Sequence, residues 1–357
     1  MGSMKTKTFF FEDKPLFGLD IGHGSLRVMQ LDMAHDVPRL KGYGVTTFDP
    51  RAINEGVIEK PEIIATAAVD LFRHHLIGDI TTKRVALSIP TARAFTRSLQ
   101  LPPMSAADVA DAIHTEAEQY IPMQADDLYL DSTPVQNGDG TTEYFLVAVP
   151  KKIIDSYLTL TQMLGLETVL IQSSTDADAM LFSRDVQSDV PAVLVDFGSE
   201  SADITIFDAG QVVTGTVDCG GETITRLIGQ ALGVTPREAG VIKAKYGLSF
   251  SKKQQLIETA LEPVLQLLLK EIRRTIRYHE ERHQANQAIS QVIIMGGGAN
   301  MPGLADYLTN NLRLAVRAFD PTPHIDFGRM QPFGQLDRMS YVTVTGLAVA
   351  NPHEVFA

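Results

Sequence analysis

The residues of this chain best suited to chemistry lie in two short glycine-containing segments that share one spacing. In each segment an aspartate is followed two positions later by a glycine and three positions after that by a serine. The first segment has Asp20, Gly22 and Ser25, and the second has Asp196, Gly198 and Ser201. Apolar residues flank both segments, which predicts that each is the turn of a β-hairpin. Because the flanking residues match at the same offset, the sequence indicates two related halves.

The chemistry that these residue types support is the binding of a polyphosphate together with a cation. Glycine lets the backbone approach an anion and direct N–H groups at it, and serine adds a hydroxyl donor. A carboxylate beside the turn repels bare phosphate, so Asp20 and Asp196 fit only with Mg²⁺ or its bound waters in between. One such turn alone is more simply a tight hairpin, because Gly, Asp and Ser are common in turns. The matched pair favours the phosphate site.

Two further glycine clusters complete the candidate site. Apolar residues 291–295 predict a buried strand, and the glycines at 296, 297 and 298 follow it shortly before a helix. This order of elements gives a place where a nucleoside can lie against backbone. The run is not GxGxxG, so the sequence does not support a dinucleotide-dependent oxidoreductase. Gly220 and Gly221 form the other cluster, just after the second hairpin and at the start of a helical pattern.

The elements that must position these residues predict an α/β protein in several units. Residues 15–81 contain the first hairpin and a helix, and residues 171–357 contain the second hairpin, the three-glycine run and a long amphipathic helix. Residues 82–170 have the order strand, helix, strand, strand and are predicted to form an inserted subdomain. Residues 1–14 are interpreted as a cloning remnant and a tail, because Gly2 and Ser3 precede a second methionine.

Composition and charge exclude several classes of protein. The chain is 44% hydrophobic and 21% charged, which is typical of a folded globular protein. It has 31 Lys and Arg against 43 Asp and Glu, and a net charge of −12 argues against nucleic-acid binding. The single cysteine, Cys219, excludes a disulfide framework and a multi-thiolate zinc site. Without a bilayer-length apolar run or a signal-peptide pattern, we expect a cytoplasmic protein.

In this order, the glycine segments resemble those of the actin, Hsp70 and sugar-kinase ATPase superfamily. Within it the chain is most similar to the PilM family, which are actin-like proteins of type IV pilus assembly, and next to FtsA, their cell-division relative. Residues 18–31, 99–105, 116–122, 218–225 and 294–308 carry the narrower resemblance. The most specific of these is residues 116–122, Glu-Ala-Glu-Gln-Tyr-Ile-Pro, which is similar to a run in the PilM inserted subdomain and which sugar kinases lack.

The resemblance implies an actin-like fold, with two RNase-H-like halves around a nucleotide cleft and an inserted strand–helix–strand–strand subdomain. It implies ATP, or ADP, with Mg²⁺ in the cleft, with ATP preferred and with at most slow hydrolysis. Asp20 and Asp196 would hold the metal through water, and His23 either donates to a phosphate or only fills a turn position. The remaining cofactor-binding residues implied are Gly22, Gly24, Ser25, Gly198, Ser199, Ser201, Gly220, Gly221, Lys243, Gly296, Gly297 and Gly298.

The resemblance also implies a partner, the N-terminal cytoplasmic tail of a PilN-type membrane protein. The tail would hold the chain at the inner face of the cell membrane, and a pilus assembly ATPase is a second candidate partner. We expect the peptide at an apolar edge of the inserted subdomain, in contact with Tyr120, Ile121, Leu128 and Leu130. The alternative is that these residues form the core of the subdomain itself.

One position departs from the resemblance, and two other functions stay open. Relatives usually have Ala-Glu-x-x-Lys where this chain has Gly240 in place of the glutamate and keeps Lys243, which predicts weaker recognition of the ribose. An FtsA-like division filament would carry a C-terminal amphipathic helix, for which residues 351–357 are too short and acidic. A sugar or acetate kinase would carry an acceptor pocket and would lack the 116–122 run.

Overall fold

The structure is a computed structural model that describes residues 14–102, 104–136, 142–185, 188, 190–208, 211–282, 288–335 and 337–350. Of the predicted tail, residues 1–14, only Lys14 is therefore described. The strands are, in chain order, β1 (Phe17–Ile21), β2 (Ser25–Asp32), β3 (Arg39–Thr47), β4 (Ile53–Asn54), β5 (Val57–Ile58), β6 (Leu76–Gly78), β7 (Arg84–Ile89), β8 (Phe95–Leu101), β9 (Leu128–Gln136), β10 (Thr142–Pro150), β11 (Glu167–Ser173), β12 (Ala192–Phe197), β13 (Ala202–Phe207), β14 (Gln211–Val217), β15 (Gln291–Met295) and β16 (Ala315–Ala318). The α-helices are α1 (Pro61–Asp70), α2 (Ala106–Tyr120), α3 (Lys151–Met163), α4 (Ser174–Phe182), α5 (Gly221–Leu232), α6 (Pro236–Lys245), α7 (Gln254–Arg282), α8 (Leu304–Leu312) and α9 (Val342–Ala348).

The two central sheets repeat one strand order. In the first half the order is β11-β7-β1-β2-β3-β6, and in the second half it is β16-β15-β12-β13-β14. In each sheet the hairpin strands are antiparallel, and the next strand, β7 or β15, runs parallel to the first hairpin strand. Every residue of β7 and β15 is buried, as expected for parallel strands covered on both faces. The two related halves predicted from the sequence repeat are therefore present as a repeat of topology.

The inserted subdomain consists of a three-stranded sheet, β8-β10-β9, with α2 packed against it. Its chain order is strand, helix, strand, strand, and the Ser105 hydroxyl caps α2 by accepting from the Asp108 N–H. The predicted range of residues 82–170 is wider than this unit. β7 pairs with β1 of the first half, and α3 buries Ile153, Tyr157 and Leu160 in the first-half core. Neither long-range contact is visible in the local pattern of the sequence.

Two helices, α4 and α9, join the halves. A Cβ on Gly346 of α9 would lie 1.9 Å from the carbonyl oxygen of Ala177 in α4. A Cβ on Gly18 of β1 would lie 2.6 Å from the carbonyl oxygen of Val344, also in α9. The apolar cluster around these contacts contains buried side chains from both central sheets. Within the described ranges, no helix is long and apolar enough to cross a membrane.

Candidate functional site

The two predicted turns have the same hydrogen-bonded geometry. The Gly22 N–H donates to the Ser25 carbonyl and the Gly198 N–H donates to the Ser201 carbonyl, each at 2.9 Å. These bonds close the β1–β2 hairpin of the first half and the β12–β13 hairpin of the second. The repeat seen in the sequence is thus also a repeat of backbone geometry.

Both turns line one cleft, whose volume is about 1150 Å³. Ligand pockets commonly measure ~300–1,000 Å³, so a nucleotide fits. The predicted residues that line the cleft are Asp20, Gly22, His23, Ser25, Asp196, Gly198, Ser199, Ser201, Gly221, Lys243, Gly296, Gly297 and Gly298. The structure therefore brings together thirteen residues of distant sequence segments, and their roles toward a ligand stay predictions.

The remaining two glycines, Gly24 and Gly220, are not among the residues that line the cleft. Gly24 lies beside Pro50, which a Cβ would meet at 3.6 Å. Gly220 is packed against the second turn, where a Cβ would lie 2.2 Å from the Ser199 carbonyl oxygen. The next amide, that of Gly221, already donates to the Gly198 carbonyl at 2.9 Å. The start of α5 therefore supports the second turn and does not offer this N–H to a phosphate.

Largely buried carboxylates line the cleft. Burial raises the pKa of Asp20, although the Ser88 hydroxyl donates to its Oδ1 at 2.8 Å. Burial, and then the nearby Asp203 carboxylate, raises the pKa of Asp196 to about 7. Burial also raises the pKa of Asp203 to about 6. The raised pKa values indicate too little positive charge near these carboxylates. A bound divalent cation would supply that charge.

Sequence reasoning missed two further acidic residues, Asp203, which lines the cleft, and Asp178, which is not among the lining residues. Asp203 pairs with Asp196 across the second hairpin, as Arg27 pairs with Asp20 across the first. The repeat offset that relates the two turns also relates Arg27 to Asp203, so this signal was present in the sequence. Asp178 of α4 is fully buried, and the Thr343 hydroxyl donates to its Oδ1 at 2.8 Å.

A divalent cation fits these residues. The Oδ2 of Asp178 is buried and has no hydrogen-bond partner among the described residues, which marks a shortage of positive charge or donors. The described residues contain no group of three or more His, Cys, Asp or Glu side chains arranged to hold a metal. Phosphate and water would therefore supply most ligands of an ion near Asp20 and Asp196, as Mg²⁺ commonly requires.

Arg27 points into the cleft and not to solvent. Its guanidinium donates to the Ser25 hydroxyl at 2.9 Å and lies 3.7 Å from Asp20 Oδ2. This positive charge lowers the cost of ionising Asp20, so the first turn carries its own counter-charge. The second turn has the Asp203 carboxylate at the position equivalent to Arg27, so this turn carries more negative charge than the first.

The three-glycine run approaches Asp196 closely. Gly296 has a φ of +79°, and a Cβ there would lie 2.1 Å from Asp196 Oδ1. Only glycine fits both constraints without displacement of the carboxylate. Gly297 and Gly298 continue along the cleft beside Ser340, which also lines it.

The Lys243 ammonium forms a hydrogen bond within the protein, and burial lowers the pKa of this group. Its ammonium donates to the Gly221 carbonyl at 2.9 Å, so it joins α6 to the start of α5. At Gly240, one helical turn earlier, a Cβ would meet no atom within 4 Å apart from its chain neighbours and the nearby backbone of its own helix. A longer side chain is therefore sterically possible at Gly240.

Replacement of Gly240 by glutamate is expected to strengthen nucleotide binding by tenfold or less, because one hydrogen bond to a ribose hydroxyl contributes about 0.5–1.5 kcal/mol. The Gly240→Ala variant is the control, since it gives the same gain in helix propensity without a carboxylate. Calorimetric titration of nucleotide into both variants is the measurement. Unchanged or weaker binding by Gly240→Glu would show that a carboxylate at this position does not reach the ribose.

His23 connects the two halves across the cleft. Its Nδ1 lies 3.2 Å from Oε1 of Glu200, which is in the second turn. Its Nε2 lies 3.7 Å from Oε1 of Glu222, in the first turn of α5. Neither glutamate was predicted to contact His23, because nothing in the sequence shows that they lie opposite it.

The structure places the predicted peptide contacts mostly inside the inserted subdomain. Ile121 and Leu128 are buried in its core, and Leu130 packs against that core. Of the four predicted residues only Tyr120 is exposed, and the Arg97 guanidinium lies over its ring at 3.3 Å. Ile121 and Leu128 are therefore core residues and not surface contacts, which corrects the prediction for them.

Comparison with known families settles the relationship of the chain. A model of the family described as type IV pilus assembly protein PilM matches residues 18–351. The chain belongs to the PilM family. This PilM-family membership agrees with the resemblance in the glycine turns and in the 116–122 run.

Solved structures show the fold of this PilM-family chain. It is similar to a chain of a PilM–PilN type IV pilus biogenesis complex, with a TM-score of 0.80, 21% identity, and coverage of 94% of this chain and 98% of that one. Ethanolamine utilization protein EutJ from Carboxydothermus hydrogenoformans aligns with a TM-score of 0.56 at 13% identity, covering 94% and 90%. MreB5 of Spiroplasma citri bound to AMPPNP aligns at 0.55 with 11% identity, covering 94% and 95%. The predicted actin-like α/β fold is confirmed.

Proposed function

We propose that this PilM-family chain is a nucleotide-binding scaffold of type IV pilus assembly that acts in the cytoplasm at the inner face of the cell membrane. The observation that carries the proposal is the likeness over 94% of the chain to a protein solved in a PilM–PilN complex. A fold match alone does not define a function. Here the family match over residues 18–351 supports the same assignment independently.

The ligand proposed for the cleft is ATP or ADP with Mg²⁺. The cleft of about 1150 Å³ lies between two hairpin turns that share one geometry. Serine hydroxyls of the turns would donate to phosphate oxygens, and Asp20 and Asp196 would hold the cation through water. The cation supplies positive charge that the phosphates and buried carboxylates share. An MreB of the same fold has been solved with AMPPNP, which supports a nucleotide as the ligand.

The partner proposed for the chain is the N-terminal tail of a PilN-type membrane protein, bound at the β9 edge. β9 is an outer strand of the inserted sheet, while the other outer strand, β8, lies beside β14 of the second half. An outer strand offers unpaired N–H and C=O groups to an extended peptide. This location replaces the buried residues that the sequence analysis favoured.

Tyr129 lies where β9 meets the first half, and the groove proposed for the tail runs along β9 between the inserted subdomain and that half. Tyr129 lies on β9, the residue is 45% exposed, and its hydroxyl donates to Asp155 Oδ1 of α3 at 3.0 Å. The Lys151 ammonium lies 5.6 Å from the centre of the same ring. A half-exposed tyrosine held at a junction of two units is a suitable anchor for a partner.

A labelled peptide of the PilN-type tail tests the proposal by fluorescence polarisation. We expect the Tyr129→Ala variant to bind the peptide about tenfold more weakly than the unmodified protein, as for a central interface aromatic. Tyr246→Ala is the control, because that tyrosine has a similar exposure of 40% and lies on the second half. Asp196→Asn is expected to bind normally, since the groove is separate from the cleft. No binding up to ~100 μM would contradict the proposed partner.

A further inference from the structure

The cluster formed by His23, Glu200 and Glu222 lies where the two turns come closest. His23 belongs to the first turn, and both glutamates belong to the second half. Hydrogen bonds of the backbone hold the glutamates together. The Glu222 N–H donates to the Ser199 carbonyl at 2.9 Å, beside the Gly221 bond already described. The two glutamates therefore belong to backbone segments that are hydrogen-bonded to each other opposite His23.

This contact occupies space between the tips of the turns. Atoms 3.2 Å apart, as His23 Nδ1 and Glu200 Oε1 are, leave no room for a phosphate group between them. A phosphate chain that extends to the tips must separate this pair. A shorter chain can bind the inner part of the turns, near Ser25 and Ser201, while the pair stays formed.

Electrostatic repulsion also disfavours a third phosphate at the tips of the turns. Glu200 and Glu222 line the cleft, and their side chains are 56% and 62% exposed. Of the cations that line the cleft, Arg27 already lies beside the Asp20 carboxylate. A third phosphate beside the two glutamates would add like charge at this point of the cleft.

We propose that the His23–Glu200–Glu222 cluster makes the cleft selective for a nucleoside diphosphate over a nucleoside triphosphate. The inference rests on the proposed nucleotide-binding function, and it reverses the ATP preference expected from the sequence. The diphosphate binds with the cluster intact. The triphosphate binds only when the His23 contact opens and the terminal phosphate lies next to the two carboxylates.

Calorimetric titration of Mg-ADP and of Mg-ATP into the full chain tests this selectivity. The unmodified protein is expected to bind Mg-ADP about tenfold more tightly, as repulsion of one added charge at a protein surface suggests. The Glu200→Ala variant should reduce this ratio to about twofold or less, mainly through tighter ATP binding. Glu200→Gln keeps an acceptor for His23 but removes the charge, so an intermediate ratio is expected.

The control is Glu118→Ala in the inserted subdomain. Glu118 lies 3.9 Å from His114 and has the same 56% exposure as Glu200, but it is remote from the cleft. Its replacement should leave the ADP-to-ATP ratio unchanged. Equal affinities in the unmodified protein, tighter binding of ATP, or a ratio that Glu200→Ala does not change would overturn the selectivity while nucleotide binding stands. If neither nucleotide binds to any variant, the proposed nucleotide function itself fails.

Discussion

Replacement of Gly346 by alanine is expected to destabilise the folded protein by about 3 kcal/mol or more, which is the upper range for overpacking a core. The added Cβ would lie 1.9 Å from the Ala177 carbonyl oxygen, and backbone on both sides must move to make room. A shift of α9 away from α4 is restricted because α9 also packs closely on β1, where a Cβ on Gly18 would lie 2.6 Å from the Val344 carbonyl oxygen. The contact that joins the two halves would therefore be broken.

Denaturant unfolding followed by circular dichroism measures this effect. Gly240→Ala is the matched control, since Gly240 is also a helical glycine but its new Cβ would meet no atom within 4 Å beyond its chain neighbours and its own helix backbone. That variant should be as stable as the unmodified protein or more stable by up to about 1 kcal/mol. An unfolding midpoint for Gly346→Ala equal to that of the unmodified protein would show that the α4–α9 contact is looser than described.

Replacement of Asp196 by asparagine is expected to stabilise the metal-free protein at pH 8 by roughly 1–3 kcal/mol. The pKa of Asp196 is raised from 3.8 to about 7 by burial and by Asp203. Between these values the folded state binds a proton that the unfolded state has lost. The stability of the unmodified protein without metal therefore falls as pH rises from about 4 to about 7. Asparagine does not titrate, so the stability of the Asp196→Asn variant does not decrease in this way as the pH rises.

Thermal unfolding in EDTA between pH 5 and pH 8 is the measurement. Asp32→Asn is the control, because the Lys41 ammonium 2.9 Å away lowers the pKa of Asp32 and its exposed pair contributes little. That replacement should cause a small loss of stability at neutral pH. An Asp196→Asn variant that melts below the unmodified protein at pH 8 would contradict the description of Asp196 as a carboxylate without sufficient counter-charge.

The parts of the fold that could be predicted from the sequence are those with local signals. The turns that begin at Gly22 and Gly198 follow from glycine, aspartate and serine between apolar runs, and the start of α2 follows from the Ser105 cap. The boundaries of the inserted subdomain could not be predicted in the same way. β7 joins the first-half sheet only through its parallel pairing with β1, a contact between distant segments.

The same distinction between local sequence signals and long-range contacts applies to the candidate site. The carboxylates of the turns are recognisable because they repeat, and Asp203 could have been found from the same repeat. The partners of His23 could not, since Glu200 and Glu222 approach it only after the two halves fold against each other. The burial of Ile121 and Leu128 could not be predicted from the sequence either, because apolar side chains suit a core and a peptide groove alike.

We propose above that the cleft between the paired turns binds a nucleotide through a cation held near Asp20 and Asp196. The most direct measurement is calorimetric titration of ADP into the purified full chain, first with Mg²⁺ and then with EDTA. We predict binding with Mg²⁺, a loss of at least about tenfold in affinity in EDTA, and a similar loss with Mg²⁺ for Asp196→Asn. No binding with Mg²⁺ at about 1 mM ligand, with no nucleotide retained on purification, or equal binding in EDTA, would contradict the claim.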